Sequence, residues 1–215
     1  MSDDKTLKQD VLAELNWEPS VTAAHIGVTA RDGVVTLSGH VESFMQKWAA
    51  EKAASRVKGV KGVAEELEVR LPFDIKRGDE EIAAAAMHHL SWDGALPRDA
   101  IKVKVEKGAV TLSGEVDWHY QKDDAGWDIT GLLGVVSVSN QITIKQRADA
   151  ANISENIRKA LHRSWLDPRT VAVTADGGKV RLTGSVNNWH DRQVAADTAW
   201  AAPGATSVVN DIAIV

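Results

Sequence analysis

The apolar residues of this chain follow one pattern that occurs three times. In each copy they first recur at helical spacing, then alternate along a short strand, and then alternate again along a second strand. The second strand carries the same signature each time, G-x-V-x-L-[ST]-G-x-V, at residues 33–41, 108–116 and 178–186. Copies separated by about 70 to 75 residues indicate three tandem domains of one design rather than a single large core.

Each copy is predicted to run helix, strand, strand, helix, strand. Tight turns containing Gly join the first two strands, and a second helix separates the second strand from the last. A strand–helix–strand unit favours a right-handed crossover, so the last strand should run parallel to the second, although the pattern does not tell whether the two are neighbours. The predicted fold class is α+β: three tandem α-β-β-α-β domains at residues 1–72, 78–146 and 147–215, each a three-stranded mixed sheet with two helices packed on it.

Glycine recurs at three equivalent places in every copy, and all of these residues are interpreted as structural. Those in the hairpin turn provide the positive φ that such turns need, and those after the second helix are typical of a helix C-terminus. Those in the second strand allow a helix to approach the sheet closely, or mark a bulge. In this order the glycines are Gly33, Gly108 and Gly178; Gly59, Gly134 and Gly204; and Gly39, Gly114 and Gly184.

Composition excludes several kinds of site. The chain has no Cys, which excludes disulfides, thiolate catalysis and cysteine metal sites. Its 215 residues carry a net charge of −5, which is concentrated in the second copy and disfavours binding to nucleic acid. No apolar stretch is long enough to span a bilayer, and the first residues do not resemble a signal peptide, so we expect a cytoplasmic location.

The order of helix, G-x-V-x-L-[ST]-G-x-V strand, helix, G-V-x-x-V and strand resembles the BON domain family of bacterial proteins. The G-V-x-x-V segment lies at residues 59–63 and 134–138, and its counterpart at 204–208 lacks the first Val. The resemblance extends over nearly the whole chain, and its hallmark residues are structural glycines and core valines. It implies a non-catalytic binding module associated with osmotic stress, with anionic phospholipid surfaces and, in one cytoplasmic case, with potassium sensing. Most well-known members are periplasmic and carry a signal sequence, which is not visible in this chain.

Tryptophan is unusually frequent, with 8 residues against 1 Tyr and 2 Phe. Trp48, Trp127 and Trp200 are predicted to share one face of the second helices, opposite a stripe of small core residues. An isolated domain would leave these indoles in water, so we expect a neighbouring repeat or a second subunit to cover them; a lipid interface and simple partial exposure are the alternatives. A second set near the ends of the first helices is expected to cap the sheet edges: Trp17, Trp92 and Trp165.

The start of the second helix is another candidate site. These helices are predicted to begin near Ser43, Asp117 and Asn188, which are good N-cap residues. A helix N-terminus attracts anions, and a His beside it would add a pH-dependent charge, which suits a phosphate headgroup. The alternative is that aromatic residues pack the helix start onto its own domain. The candidate residues are Trp118, His119, Trp189 and His190.

The third copy is the better candidate for binding anions, because it does not share the negative charge of the second. Its basic residues lie in or just beyond the first helix of the copy, and the alternative reading is a solvated helix face. These residues are Arg158, Lys159, Arg163 and Arg169.

No metal site, cofactor or catalytic set is predicted. The 7 His residues show no H-x-x-x-H or H-E-x-x-H spacing, and no Ser–His–Asp set recurs between the copies. The predicted function is non-catalytic, stress-associated binding and scaffolding, through contacts between the repeats and with other proteins, self-association included. Peripheral binding to anionic phospholipid and the sensing of potassium or another small ion are the alternatives.

Overall fold

Residues 2–146, 152–163 and 170–215 are described by a computed structural model of the chain, with side chains from residue 4 onward. In the first copy the sheet has the order β1-β2-β3, in which β1 is antiparallel to β2 and β2 is parallel to β3. The last strand therefore runs parallel to the second, as predicted, and is its direct neighbour. The elements are α1 (Ser2–Trp17), β1 (Ile26–Arg31), β2 (Val34–Val41), α2 (Phe44–Arg56) and β3 (Gly62–Val69), with a short 3-10 turn at Ala23–His25.

The second copy follows the same order but divides its last strand in two. A second 3-10 turn, at Phe73–Ile75, lies between the first copy and the second. The strand predicted as one segment consists of β6 and β7, which both pair with β5 and flank the fully buried Ile142. The elements are α3 (Asp79–Trp92), β4 (Ile101–Glu106), β5 (Ala109–Val116), α4 (His119–Thr130), β6 (Ser137–Asn140) and β7 (Thr143–Ile144).

The third copy repeats the architecture of the first. Its sheet has β9 in the middle, antiparallel to β8 and parallel to β10. The elements are α5 (Ile153–Leu161), β8 (Val171–Asp176), β9 (Lys179–Val186), α6 (Trp189–Trp200) and β10 (Ser207–Ile214). Three mixed sheets with two helices each confirm the predicted α+β fold class.

Contacts within the chain define two compact units whose boundaries fall inside the second copy. One unit comprises Met1–Trp92, Val103–Leu112 and Gly126–Ser139. The other comprises Asp93–Lys102, Ser113–Ala125 and Asn140–Val215. The second copy therefore contributes residues to both units.

The first copy has its own hydrophobic core, and the third has an equivalent one. Helical spacing places the apolar residues of α1 on one face, and alternation places those of β2 on one side of the sheet. Small side chains on α2 let this helix lie close to the sheet, while the opposite face of α2 stays outside the core. The buried residues include Leu7, Val11 and Leu15 of α1, Val35, Leu37 and Val41 of β2, and Ala50, Ala53 and Ala54 of α2.

A polar contact ties the fourth residue of each second helix to the last strand of its sheet. In the first copy Lys47 Nζ donates to the carbonyl oxygen of Leu67 at 2.8 Å and forms an ion pair with Glu65. In the third copy Arg192 donates to the carbonyl oxygen of Asn210, also at 2.8 Å. In the second copy the amide of Asn140 donates to the carbonyl oxygen of Lys122. The three second helices therefore have the same position on their sheets, although the side chains that fix them differ.

The second strand needs glycine where the backbone of the segment before the first strand comes very close to it. Gly39 has a φ of 116°, and a Cβ at this residue would collide with the carbonyl oxygen of His25, which leads into β1. Gly114 and Gly184 have positive φ as well and face the carbonyl oxygens of Ala100 and Thr170 in the same way. The prediction that a helix approaches the sheet at this glycine is therefore wrong: the segment entering the first strand does.

We predict that Gly39→Ala destabilises the first copy by about 3 kcal/mol, because the new Cβ meets a backbone oxygen and the residue is held at positive φ. Gly62→Ala is the matched control, since a Cβ on this strand glycine meets nothing within 4 Å. The control should change the free energy of unfolding by less than about 0.5 kcal/mol. Urea unfolding followed by circular dichroism measures both, and equal effects of the two variants would contradict the steric argument.

Candidate functional site

Two tryptophans form the contact between the second helices of the first and second copies. The ring centroids of Trp48, in α2, and Trp127, in α4, lie 4.7 Å apart with an interplanar angle of 63°, an edge-to-face arrangement. Beside them, the side chain of Met45 packs against Gly131, which directly follows α4. Met45 Cε lies only 3.6 Å from the point that a Cβ of residue 131 would occupy. Trp48 is half-buried, and Trp127 remains 50% exposed. The start of α2 therefore packs against the end of α4.

A histidine and a tryptophan form the corresponding contact between the second and third copies. The ring of His119, the first residue of α4, stacks on that of Trp200, the last residue of α6, with centroids 3.8 Å apart and an interplanar angle of 25°. His119 Nδ1 also lies 2.9 Å from a carboxylate oxygen of Asp123. The start of α4 therefore packs against the end of α6. The sequence placed His119 at a helix start but did not predict Trp200 as its partner.

The two interfaces use the same helix positions and differ in the residues placed there. Trp48 is the fifth residue of α2, and Asp123 is the fifth residue of α4. Trp127 is the ninth residue of α4, and Asp197 is the ninth residue of α6. Two carboxylates therefore stand in the second interface at the positions that hold the Trp–Trp pair in the first.

An open cleft lies at the second interface, and we refer to it as the aromatic cleft. Its volume is about 600 Å³. Asp197 Oδ1 accepts a hydrogen bond of 2.8 Å from the amide of Gln193, and this uncharged donor leaves the negative charge in place. The cleft is lined by four aromatic residues, two acidic residues and one alanine: Trp118, His119, Tyr120, Trp200, Asp123, Asp197 and Ala201.

The start of α4 is capped differently from the starts of the other second helices. The side chains of Ser43 and Asn188, which directly precede α2 and α6, accept hydrogen bonds from backbone N–H groups of the first turn. At α4 this position holds Trp118 rather than the predicted Asp117, because the helix begins at His119. The buried side chain of Gln121 accepts hydrogen bonds from the N–H groups of Asp117 and Trp118 instead, at 3.1 Å each. The indole of Trp118 has no acceptor atom for a first-turn N–H group, and Trp118 lines the aromatic cleft.

Two tryptophans already have a cation of their own chain above the ring. The guanidinium carbon of Arg192 lies 5.0 Å from the centroid of Trp189, and Lys52 Nζ lies 5.2 Å from that of Trp48. Trp189 remains 40% exposed at the start of α6, and His190 beside it is exposed. Within the described residues, no helix end covers the aromatic start of α6 as the ends of α4 and α6 cover the starts of α2 and α4.

The basic residues predicted for anion binding lie at the end of α5. Arg158, Lys159 and Arg163 are all exposed. Lys159 pairs with Glu155 at 2.9 Å, and Arg163 donates to the carbonyl oxygen of Lys159 at 3.1 Å. These contacts are those of a solvated helix end. Arg169, the fourth residue of the predicted set, lies outside the described residues.

The tryptophans at the ends of the first helices do not cap the sheets. Trp17 is 84% exposed and Trp92 is 77% exposed, so the predicted role is wrong for both. Trp92 instead donates from its indole nitrogen to His88, four residues earlier on α3, at 2.9 Å. Trp165, the third member of this set, lies outside the described residues.

Asp124 follows Asp123 in α4. Burial raises the pKa of the Asp124 carboxyl above its usual range, and the negative charges of Asp93 and Asp123 raise it further. Asp124, Asp93 and Asp123 therefore lie near enough to one another for their charges to interact.

Two classes of site receive no support from the geometry of the described residues. Within residues 2–146, 152–163 and 170–215, no group of three or more His, Asp or Glu side chains could hold a metal ion. No helix in this part of the chain is long and apolar enough to cross a membrane.

Comparison with known sequences gives a family match over almost the whole chain. The sequence model of the BON domain matches three times, at residues 3–70, 78–146 and 149–215. The chain is also similar to Osmotically-inducible protein Y of Escherichia coli (strain K12), with 35% identity over 150 residues. The aligned region covers 66% of this chain and 73% of that protein.

Among solved structures, the chain aligns with proteins of type III secretion systems. The structural protein CdsD of Chlamydia trachomatis has 18% sequence identity and a TM-score of 0.28, with 98% of this chain and 92% of that chain covered. The periplasmic domain of the inner membrane protein PrgH of S. typhimurium has 11% identity and a TM-score of 0.25, with 89% and 95% covered. TM-scores this low support no conclusion about this chain.

We predict that the indoles of Trp48 and Trp127 stabilise each other by about 0.5 to 1.5 kcal/mol, as edge-to-face pairs do. A double-mutant cycle with Trp48→Ala, Trp127→Ala and the double variant, read by urea unfolding, measures this coupling. Trp17→Ala paired with Trp127→Ala is the control and should show no coupling, because Trp17 is almost fully exposed. Additive effects of the Trp48 and Trp127 substitutions would mean that the two rings do not interact in solution.

We predict that Asp124→Asn stabilises the protein at neutral pH. The raised pKa means that the folded chain holds this proton more tightly than the unfolded chain, so the wild-type carboxyl costs stability once the pH exceeds its folded pKa. The advantage of the variant should therefore disappear as the pH falls below the usual range of an aspartate. Melting temperatures of both proteins across this pH range test it, and an advantage that is independent of pH would contradict the assigned cause.

Proposed function

The chain belongs to the BON domain family, and on that premise we propose that it is a non-catalytic protein of the osmotic stress response that binds and scaffolds other protein chains, including further copies of itself. The similarity to an osmotically inducible protein supports the link to stress. The residues that recur in all three copies are glycines, core aliphatic residues and the tryptophan near the end of each first helix, and none of these is a nucleophile, an acid or a base. Both observations favour a binding role over catalysis.

The observation that carries this proposal is the repeated packing of one helix start against the next helix end. The start of α2 packs against the end of α4, and the start of α4 packs against the end of α6. Each interface therefore joins two different surfaces of the repeat, and an arrangement of this kind can continue from one chain into the next. The start of α6 is the surface at which such a continuation would begin.

The residues at the start of α6 suit an interface between copies. Trp189 is the first residue of α6, as His119 is of α4, and it remains 40% exposed. Tryptophan and arginine are the residues most often responsible for binding energy at protein interfaces, and Arg192 lies against the Trp189 ring. We infer that the end of a second helix in another copy of this chain covers the start of α6.

We predict that the mass of the protein rises with concentration and that Trp189→Ala weakens this association by at least about tenfold. Sedimentation equilibrium over a wide concentration range measures the effect, and circular dichroism checks that the variant is folded. Trp17→Ala is the control, because Trp17 is more exposed but lies on a first helix. A mass that stays at one chain, or a loss caused by the control and not by Trp189→Ala, would contradict the proposed surface.

Peripheral binding to anionic phospholipid remains a second candidate. The exposure of Arg158, Lys159 and Arg163 favours it, and the half-exposed Trp189 is a residue that often lies at lipid interfaces. The pairing of Lys159 with Glu155 offsets one of these charges, so protein association has the stronger support. Potassium sensing and a cytoplasmic location stay predictions from the sequence.

A further inference from the structure

We propose that the aromatic cleft binds a small organic cation of the quaternary ammonium class. This site uses the start of α4 and the end of α6, and it does not depend on the proposed association through Trp189. Its volume of about 600 Å³ lies within the roughly 300–1,000 Å³ that is usual for small-molecule sites.

The aromatic rings of the cleft supply the first part of the argument. Trp118, Tyr120 and Trp200 line one cleft together with the ring of His119. The negative faces of such rings attract cations, and several rings around one space recognise methylated ammonium groups, which are large and weakly hydrated. Elsewhere in the chain Lys52 and Arg192 already lie over indole rings, so cations are partners that this fold accepts on its tryptophans.

The two carboxylates of the cleft supply the second part. Asp123 and Asp197 line the same space, at the helix positions where the first interface has Trp48 and Trp127 in contact. Asp123 has the imidazole of His119 as its partner, with Nδ1 at 2.9 Å. The amide of Gln193 gives Asp197 a hydrogen bond but no opposite charge. A bound cation would supply the counter-charge that Asp197 lacks.

The helix dipole at the end of α6 favours a positive ligand. Asp197 and Trp200 lie in the last turn of α6, where the helix dipole favours a positive charge. At the start of α4 the dipole has the opposite sign, so the end of α6 is the side of the cleft that favours a cation.

The position of Trp118 is an independent sign of a ligand site. Ser43 and Asn188 show that the residue before the second helix normally caps it in this chain. In the second copy Trp118 stands at this position, and Gln121 accepts hydrogen bonds from the N–H groups of Asp117 and Trp118, which precede the helix. Real proteins depart from local sequence preferences, such as a capping residue before a helix, mainly at functional sites.

Other classes of ligand suit the cleft less well. A phosphate or carboxylate would meet Asp123 and Asp197 as like charges. A potassium ion prefers a shell of oxygen atoms, whereas most of this lining consists of aromatic rings. A neutral apolar molecule would leave Asp197 with only the uncharged amide of Gln193 as its partner.

Choline is a suitable probe, since it carries a trimethylammonium group and no negative charge. Isothermal titration calorimetry of the full chain at about pH 8, where imidazole side chains are generally uncharged, should give saturable binding with one site per chain. Two matched compounds serve as controls. The uncharged analogue 3,3-dimethyl-1-butanol has the same shape, and potassium chloride has the same charge. Neither should bind or compete at the concentrations at which choline saturates.

Variants of the cleft separate binding from folding. Asp197→Asn keeps the shape of the side chain and removes one charge, and it should weaken choline binding by about tenfold without lowering the melting temperature. Trp200→Leu removes an aromatic wall and should weaken binding by more than about tenfold, and its fold is checked separately because Trp200 also contacts His119. Trp189→Leu lies outside the cleft lining and should leave choline binding unchanged.

Three results would overturn the proposal. One is the absence of saturable choline binding to the wild-type chain. A second is equal binding of the uncharged analogue or of potassium, which would make the cleft a general apolar surface or an inorganic ion site. A third is unchanged choline binding in Asp197→Asn. Loss of self-association in Trp189→Ala with choline binding retained would support both proposals independently.

Discussion

A domain of about 70 residues cannot cover both faces of its second helix, and the contacts between the copies follow from this constraint. In α2 the small side chains Ala50, Ala53 and Ala54 lie on the sheet, so Trp48 points away from the core of its own domain. Its cover comes from Trp127 in the next copy. Trp200 in α6 is likewise covered by His119 of the preceding copy. Pairing of helix starts with helix ends is thus how small domains bury large rings.

The second interface, between α4 and α6, also brings two second helices together, but it holds carboxylates where the first interface holds indole rings. Indole rings can pack edge to face and exclude water, whereas a carboxylate must keep its hydration or find a partner. Since Asp123 and Asp197 occupy the places of Trp48 and Trp127, the helices cannot close around an apolar contact there. The stacked rings of His119 and Trp200 hold one part of the interface together, and the remainder forms the aromatic cleft.

The fold could be predicted from the sequence because its determinants are local and recur. The spacing of Leu7, Val11 and Leu15 and the alternation of Val35 and Leu37 each define a buried face within one element. The site could not be predicted in the same way, because Trp200 and His119 lie far apart in the sequence and meet only when the copies pack. Comparing the helix starts of the three copies would have shown that Trp118 takes a capping position, which is the one local signal of the cleft.

The residues that the three copies share and those in which they differ have separate roles. Gly39 and its counterparts are the same in all copies because a backbone oxygen lies where a side chain would be, and this holds whatever the domain binds. At the fifth and ninth positions of the second helices the copies differ in both charge and size: Trp48, Asp123 and Gln193 at the fifth, and Lys52, Trp127 and Asp197 at the ninth. The same backbone therefore provides a closed aromatic contact at one interface and an acidic aromatic cleft at the other. Because these positions lie outside the cores, they can differ between the copies while the cores stay the same, and the two interfaces differ as a result.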